Sequence, residues 1–334
     1  PNIHGDLLHE FSWSQAEDAD LVKKLIMVLP GAKVSELAHL FPDFLDNNGK
    51  IDLKKRVNGV PVDNTYPTAE TIFKIACVAK ALVEYPQIKR TMSFASFVKN
   101  NMLVKQNWKW VCNKVLGRGK LETQIKNMFI EVMNDDAYNS KAIKSHASAI
   151  KRAKAKDRYV LASCRLFNRG YNDVAPKGYN GTWLKHHAGF HIDERSEVNL
   201  TQEIWRFTRL DNQCNDPFAY YICPMLYNDL DPGEPTWSES TISTLVAILK
   251  NNKNIKDDFE SMIHNPSQRQ QQKKKGIFRF WIPEDFDPDL LNNLISTTAY
   301  TARGTVFTGL AVEAHDWLLN KYLQLDDPLD RRTK

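Results

Sequence analysis

The sequence predicts a mainly α protein of two helical lobes, with a minor β-hairpin and a basic groove between the lobes. Three observations predict this fold class. Apolar residues recur at helical spacing in most segments, strand patterns are sparse, and 334 residues are enough for two domains of about 150 residues each. We expect an N-terminal lobe over residues 1–175 and a C-terminal lobe over residues 176–334.

Caps and helix breakers predict the helices of the first lobe. Ser14 and Glu17 fit a capping box, which opens a helix that Pro30 ends. Thr68 can cap a second helix, whose apolar residues keep helical spacing as far as Pro86. A hairpin is expected over residues 50–62, around Asn58-Gly59. Further helices are predicted near 94–104, 106–116, 120–134 and 140–168.

The second lobe is also predicted to be mainly helical. Helices are expected near 200–210, 217–228 and 238–264, and another begins at Asp287-Pro288. Gly276–Ile282 is a short strand or extended segment. Between the lobes, Tyr171–Gly189 is rich in glycine and aromatic residues, so the lobe boundary is placed there.

The composition excludes several classes of protein. A hydrophobic fraction of 42% and a charged fraction of 25% are typical of a soluble globular protein. The longest apolar runs fall short of the ~20 residues that a membrane span needs. Five cysteines make no disulfide framework, and the first residues show no secretory signal. A cytoplasmic or virion location is therefore expected, and not a secreted protein.

Charge is distributed unevenly along the chain. Residues 99–169, here called the basic block, hold 16 Lys and Arg against 5 Asp and Glu, a net charge of +11. Because the whole chain has a net charge of +5, the remainder carries −6. Acidic ends around a basic middle favour a polyanionic partner, of which nucleic acid is the commonest.

The predicted helix 140–168 carries the strongest evidence for this partner. Four cations recur every seven residues and would form one stripe on the helix: Lys144, Lys151, Arg158 and Arg165. Small residues between them would let a phosphate backbone approach closely. Four further cations broaden the field: Lys141, Arg152, Lys154 and Arg169.

Aromatic residues and a glycine-containing loop extend the predicted nucleic-acid site. Tyr171, Tyr179 and Trp183 lie in the connector, where they could stack on unpaired bases. Arg118 and Lys120 precede a predicted helix start, where free N–H groups favour a phosphate. Because single strands expose their bases and duplexes do not, the predicted partner is single-stranded RNA.

The sequence contains no complete enzyme motif of the common nucleotide-binding kind. Gly119-Lys120 does not belong to a nucleotide-binding P-loop, since Lys114 and Leu121 stand where that loop needs Gly and Ser or Thr. A histidine and carboxylate cluster offers the best alternative, because two histidines four residues apart would share one helix face. Its members are His186, His187, His191, Asp193 and Glu194. The leading interpretation assigns no metal and no cofactor.

These observations predict a non-catalytic protein that binds and coats single-stranded RNA and assembles with itself. Its acidic terminal segments would dock on the basic region of a neighbouring copy. In size, helix content and basic middle, the chain resembles the helical two-lobed nucleoproteins, or filament coat proteins, of RNA viruses. The resemblance implies a nucleocapsid or virion role. Two alternatives stay open: a metal-dependent nuclease using the histidine cluster, and a helical scaffold that binds acidic protein partners.

Overall fold

The protein is an α/β protein built on a parallel sheet. A computed structural model describes residues 13–133, 148–153, 156, 158–163, 186–193, 197–210, 217–230, 236–238, 244, 248 and 279–280. Seven of its strands form one sheet, and helices pack against that sheet. The predicted mainly α fold is therefore wrong, and so is the expectation of two helical lobes around a basic groove.

The first part of the chain supplies five α-helices and four strands, of which β1, β3 and β4 belong to the large sheet. In chain order they are α1 (Trp13–Asp18), β1 (Lys24–Leu29), β2 (Gly31–Lys33), α2 (Val34–Leu40), a 3-10 turn (Pro42–Phe44), α3 (Ala69–Glu84), β3 (Arg90–Phe94), α4 (Val98–Val115), α5 (Lys120–Lys126) and β4 (Phe129–Met133).

The second part adds mostly strands. In chain order its elements are α6 (148–153), β5 (Tyr159–Ser163), β6 (Ala188–His191), α7 (Glu197–Phe207), β7 (Phe218–Ile222), β8 (Met225–Asn228), β9 (Thr236–Trp237) and β10 (Arg279–Phe280).

The large sheet has the strand order β10-β1-β7-β6-β3-β5-β4, and all its pairings are parallel. The chain crosses from β1 to β3 to β4 in one direction and returns through β5, β6 and β7. Right-handed crossovers then place α3, α4 and α5 on one face and α7 on the other. A second sheet, β2-β8-β9, continues from the ends of β1 and β7.

Two neighbouring residues of β3 confirm that both faces of the sheet are covered. The Ser93 hydroxyl lies 2.9 Å from Oδ1 of Asn101 in α4. The Phe94 ring lies on the opposite face, 6.4 Å from the ring of Phe207 in α7. Successive strand side chains point to opposite faces. The sheet therefore forms the middle layer of three.

Strand β1 shows why the fold class was predicted wrongly. Its last five residues, Leu25–Leu29, are all buried between the two helical layers. A short continuous apolar run is typical of a strand buried on both faces, but periodicity cannot distinguish it from a buried helix. The helix that the capping box opens ends at Asp18, before this run. Residues 217–228 were misassigned for the same reason and form β7 and β8.

Other elements match the sequence prediction. Helix α3 begins after Thr68, whose hydroxyl oxygen accepts a hydrogen bond from the Thr71 N–H at 3.2 Å, and ends at Glu84. Helix α7 and strand β10 also lie where a helix and an extended segment were expected. The predicted hairpin around Gly59 is wrong, because this segment packs on α4. The Asn107 side-chain amide accepts a hydrogen bond from the Val60 N–H and donates one to the Val60 carbonyl.

Helix α4 replaces two predicted helices, those near 94–104 and 106–116, with one of 18 residues. It carries four lysines, and no helix in the described part of the chain has the length and hydropathy of a membrane span.

Strands from both predicted lobes are hydrogen-bonded in the same sheet, since β7 lies between β1 and β6. The proposed boundary at residues 175 and 176 lies outside the described residues and stays a prediction.

Candidate functional site

The predicted basic helix 140–168 is not a single helix. Residues 148–153 are helical, but Tyr159–Ser163 form strand β5 inside the sheet. The four seven-spaced cations therefore do not share one helical stripe. Lys151 and Arg152 are exposed on α6, and Arg152 pairs with Glu131 at 3.3 Å. The remaining candidates of this region lie outside the described residues: Lys141, Lys144, Lys154, Arg165, Arg169, Tyr171, Tyr179 and Trp183.

Arg158 is a structural residue. Its side chain is 8% exposed, and Nη2 donates to the backbone carbonyls of Leu82 at 2.7 Å and Ile88 at 2.8 Å. Burial lowers the pKa of this guanidinium to about 10. The carbonyls at the C-terminal end of a helix lack partners within the helix. Arg158 supplies one where α3 ends, and so does not face a nucleic acid.

Arg118 and Lys120 lie where the sequence predicted, beside the start of a helix. They line a shallow surface pocket of about 430 Å³ together with Thr123 and Lys126. The Lys126 ammonium donates a hydrogen bond to the Gly117 carbonyl at 2.6 Å. The Thr123 hydroxyl donates one to the Gly119 carbonyl at 2.7 Å. The phosphate-binding role of Arg118 and Lys120 stays a prediction.

The histidine cluster does not form a metal site in the described structure. His187 immediately precedes strand β6 and His191 ends it, and four strand residues span about 13 Å, so the two histidines do not share a helix face. The Lys89 N–H donates to Nε2 of His187 at 3.2 Å. Burial, followed by nearby Lys23 and Arg90, lowers the pKa of His187 to about 3. No group of three metal-ligating side chains occurs among the described residues.

A different cluster of polar residues lies on the outer face of α7. The inner face of this helix, with Leu200, Ile204 and Phe207, is buried against the sheet. The outer face borders a surface pocket of about 390 Å³, here called the arginine pocket. Its lining residues are Thr201, Gln202, Trp205, Arg206 and Arg209.

The arginine pocket combines two guanidinium groups with an indole. Burial and then the neighbouring Arg209 lower the pKa of Arg206, while Glu203 opposes that shift. Two cations held close together favour an anion with at least two charges, and the planar guanidinium fork matches carboxylate and phosphate oxygens. Trp205 is 36% exposed and offers a flat apolar surface beside them. The pocket can therefore bind a phosphate group with an aromatic ring nearby.

Close packing fixes the position of α7 on the sheet. A Cβ atom on Gly189 would lie 2.5 Å from Phe207, so the helix approaches β6 as closely as glycine permits. The Lys23 N–H donates to the Thr208 carbonyl at 2.7 Å, and Val22 pairs with Arg209 in an isolated bridge. Since α7 runs antiparallel to the strands, these contacts place Arg209 at the edge where β1 begins.

A second polar region lies at the opposite end of the strands, where β3 and β6 end. It comprises residues 95–101 and 192–193 and is here called the carboxyl edge. Asp193 accepts hydrogen bonds from the Ser96 N–H at 2.7 Å and from Nδ2 of Asn100 at 2.9 Å. Phe97, immediately before α4, is 64% exposed. Ligands of open parallel sheets bind outside the carboxyl ends of the strands, at points where the chain reverses direction.

The sequence prediction missed the arginine pocket. Residues 197–210 contain two acids and two bases, so they show no excess charge. One signal was available: Gln202, Arg206 and Arg209 fall on one side of a helix at spacings of four and three residues. In the structure that spacing holds for Gln202 and Arg206, and Arg209 lines the same pocket from just beyond the helix end.

Comparison with known proteins finds similarity in structure only. No protein family and no curated protein matches the sequence. The chain is similar to the ATP-dependent Type ISP restriction-modification enzyme LlaBIII bound to DNA, with a TM-score of 0.49 and 12% identity over 79% of this chain and 16% of that enzyme. The chain thus spans less than a fifth of the enzyme's length.

Two further structures resemble parts of the chain. The C-terminal part of the Fun30 ATPase domain has a TM-score of 0.31 and 12% identity, over 65% of this chain and 60% of that one. Domain 2 of the DEAD-box helicase Mss116p, bound to an RNA duplex, has a TM-score of 0.28 and 17% identity, over 68% and 80%. All three TM-scores lie below 0.5, so the function of this chain must follow from its own geometry.

These findings correct the interpretation of the chain as a non-catalytic coat protein. The two-lobed helical fold and the continuous basic helix, on which that interpretation depended, are replaced by parallel strands. The expected lack of catalytic activity and the nucleocapsid and virion roles are withdrawn. The α-helical scaffold alternative depended on the same fold and is withdrawn with them.

Proposed function

We propose that this chain is an α/β domain of a nucleic-acid-dependent ATPase, in which Arg206 and Arg209 contact the phosphates of the bound nucleotide. The observation that carries the proposal is the arginine pocket, which Gln202 and Arg206 of α7 line together with Arg209, two residues beyond the helix end. Arginines presented in this way stabilise the charge that develops during phosphoryl transfer.

The nucleotide would be shared with another domain or subunit. The sequence holds two Gly-Lys pairs, Gly49-Lys50 and Gly119-Lys120, followed by Ile51 and Leu121. A P-loop needs Ser or Thr at that position to bind Mg²⁺, so neither pair belongs to one. In this proposal another domain or subunit would supply the loop that cradles the phosphates, and the arginine pocket would contact the nucleotide from the other side.

The nucleic acid would bind at the carboxyl edge. Helix α4 begins there with backbone N–H groups and Lys99, and exposed Phe97 can stack on a base. The negative charge of Asp193 disfavours a phosphate at this edge. Its carboxylate already accepts hydrogen bonds from Ser96 and Asn100, which reduce that repulsion. Single-stranded RNA remains the predicted partner.

Release of phosphate from ATP by the complete protein tests the proposal. We expect hydrolysis to rise when single-stranded RNA or DNA is added, and Arg209→Ala to lower the stimulated rate by about 10³-fold or more. Lys80→Ala removes an exposed cation of α3, on the other face of the sheet, and should leave the rate unchanged. If nucleic acid elicits no hydrolysis, or if Arg209→Ala hydrolyses ATP normally, the proposal is wrong.

A further inference from the structure

A buried chain of three polar side chains joins the sheet to α7. Nε2 of His191, at the end of β6, lies 2.5 Å from Oε2 of Glu203 in α7. Nδ1 of the same ring lies 2.7 Å from the hydroxyl oxygen of Tyr221 in β7. Glu203 and Tyr221 are fully buried, and His191 is 4% exposed. A buried carboxylate is costly unless it is paired, so this arrangement fixes its three members closely.

The two hydrogen bonds fit one arrangement of hydrogens in which Glu203 is ionised and the His191 ring is neutral. His191 then donates its Nε2 hydrogen to the Glu203 carboxylate. In the neutral ring Nδ1 then accepts the hydroxyl hydrogen of Tyr221. Truncation of any member therefore removes at least one buried hydrogen bond from this set.

The hydrogen-bonded set of Glu203, His191 and Tyr221 lies between the two candidate ligand sites. Arg206 follows Glu203 by three residues, and the Glu203 carboxylate acts on the Arg206 guanidinium electrostatically. At the other end, the Phe94 ring stacks on His191 at 5.2 Å, where β3 enters the carboxyl edge. Asp193, two residues after His191, bonds the start of α4.

We propose that Glu203 is a positioning residue. Through His191 and Tyr221 it fixes the position of α7 along the strands, so that Arg206 and Arg209 reach the nucleotide. This inference rests on the proposed ATPase function and adds to it how the arginine pair is placed. His191 ends β6 next to Ile192 of the carboxyl edge and stacks on Phe94, so the same three side chains also connect the region of the proposed nucleic-acid site with α7.

Steady-state ATP hydrolysis by the complete protein, with and without single-stranded RNA, tests this role. Glu203→Ala should lower kcat by about 10²-fold, because a displacement of about 1 Å from catalytic geometry has that effect. KM for ATP should change much less, since the arginines act mainly in the transition state. The stimulation by RNA should fall in the same variant.

Conservative variants separate positioning from a general loss of packing. Glu203→Gln keeps a carbonyl acceptor for His191 and should recover most of the lost kcat, whereas Tyr221→Phe should lose a smaller part. Ile204→Ala is the matched control: it truncates a buried neighbour in α7 without touching the chain. At equal folded fraction, measured by circular dichroism, its kcat should stay near that of the parent protein.

The outcomes distinguish this inference from the proposed function. If Arg209→Ala abolishes hydrolysis but Glu203→Ala keeps the parent kcat and RNA stimulation, the positioning role is wrong and the ATPase function stands. Equal losses in Glu203→Ala and Ile204→Ala would also overturn the positioning role, because loss of packing would then explain both. If Arg209→Ala hydrolyses ATP normally, the ATPase function itself is wrong.

Discussion

The basic block and the outer face of α7 differ in the way their cations are used. Residues 99–169 hold 16 cations, whereas residues 197–210 hold two arginines balanced by two acids. In the block, Arg158 is internal, Lys105 and Arg152 pair with Glu131, and Lys126 bonds a backbone carbonyl. In the second segment, Arg206 of α7 and Arg209 just beyond it line one pocket. A phosphate site needs cations that converge in space, which charge density along the chain does not measure.

The comparison also explains why a seven-residue spacing was misleading. Seven residues are close to two helical turns, so the spacing predicts a stripe only if the whole segment is helical. Strand β5 interrupts the predicted helix, and Arg158 comes immediately before it. Gln202 and Arg206 lie one turn apart in α7, and their spacing is meaningful because that segment is helical. Arg209 follows the helix end at Phe207, and its bridge with Val22 places it.

The largest effect on ATP hydrolysis is expected from a substitution in the arginine pocket. Arg209→Lys keeps the charge but loses the planar fork that contacts two oxygens at once. We expect it to lower nucleic-acid-stimulated ATP hydrolysis by about 10²-fold or more. Full activity in this variant would show that the pocket uses only charge, as the basic block was expected to do.

A large effect on stability is expected at Arg158. Arg158→Ala leaves the carbonyls of Leu82 and Ile88 buried without their charged donor, which should lower the free energy of unfolding by about 1.5–3 kcal/mol. Urea denaturation measures this loss. Arg152→Ala removes an exposed cation six residues away and should change stability by less than about 0.5 kcal/mol. Equal effects of the two substitutions would contradict a structural role for Arg158.

Gly189→Ala tests the close contact that supports α7. The added methyl group would meet Phe207 at 2.5 Å, so helix and strand must separate at a cost of about 1–3 kcal/mol. Gly117→Ala is the matched control, since a Cβ there meets nothing within 4 Å. Thermal unfolding should show a lower midpoint for the first variant alone. A parent-like midpoint for Gly189→Ala would mean that α7 is not fixed by this contact.

The smallest effect is expected from the exposed cations of the basic block. Replacing Lys151 and Arg152 together by Ala should leave folding intact and reduce the salt dependence of single-stranded RNA binding by a slope of about 1.4. Fluorescence anisotropy with a labelled oligonucleotide at several salt concentrations measures the slope. An unchanged slope would remove α6 from the nucleic-acid surface.

Local signals in the sequence determined individual helices. Helix α3 is set by the Thr68 cap, by apolar residues at helical spacing and by Pro86 beyond its end. Its prediction succeeded because each of these signals acts within one or two turns. Helix α7 was found in the same way, although its outer face was not recognised as a site.

The tertiary structure alone decided which apolar runs became strands and which cations became neighbours. Residues 24–29 are a strand because distant β7 and β10 pair with them and helices cover both faces, and no signal within the run reports those partners. His191 meets Glu203 and Tyr221 only once β6, α7 and β7 are packed. The sequence by itself determined net charge, caps and helical spacing, which are local properties. Strand order and the convergence of side chains depend on long-range pairing, and they decided the fold and the candidate site.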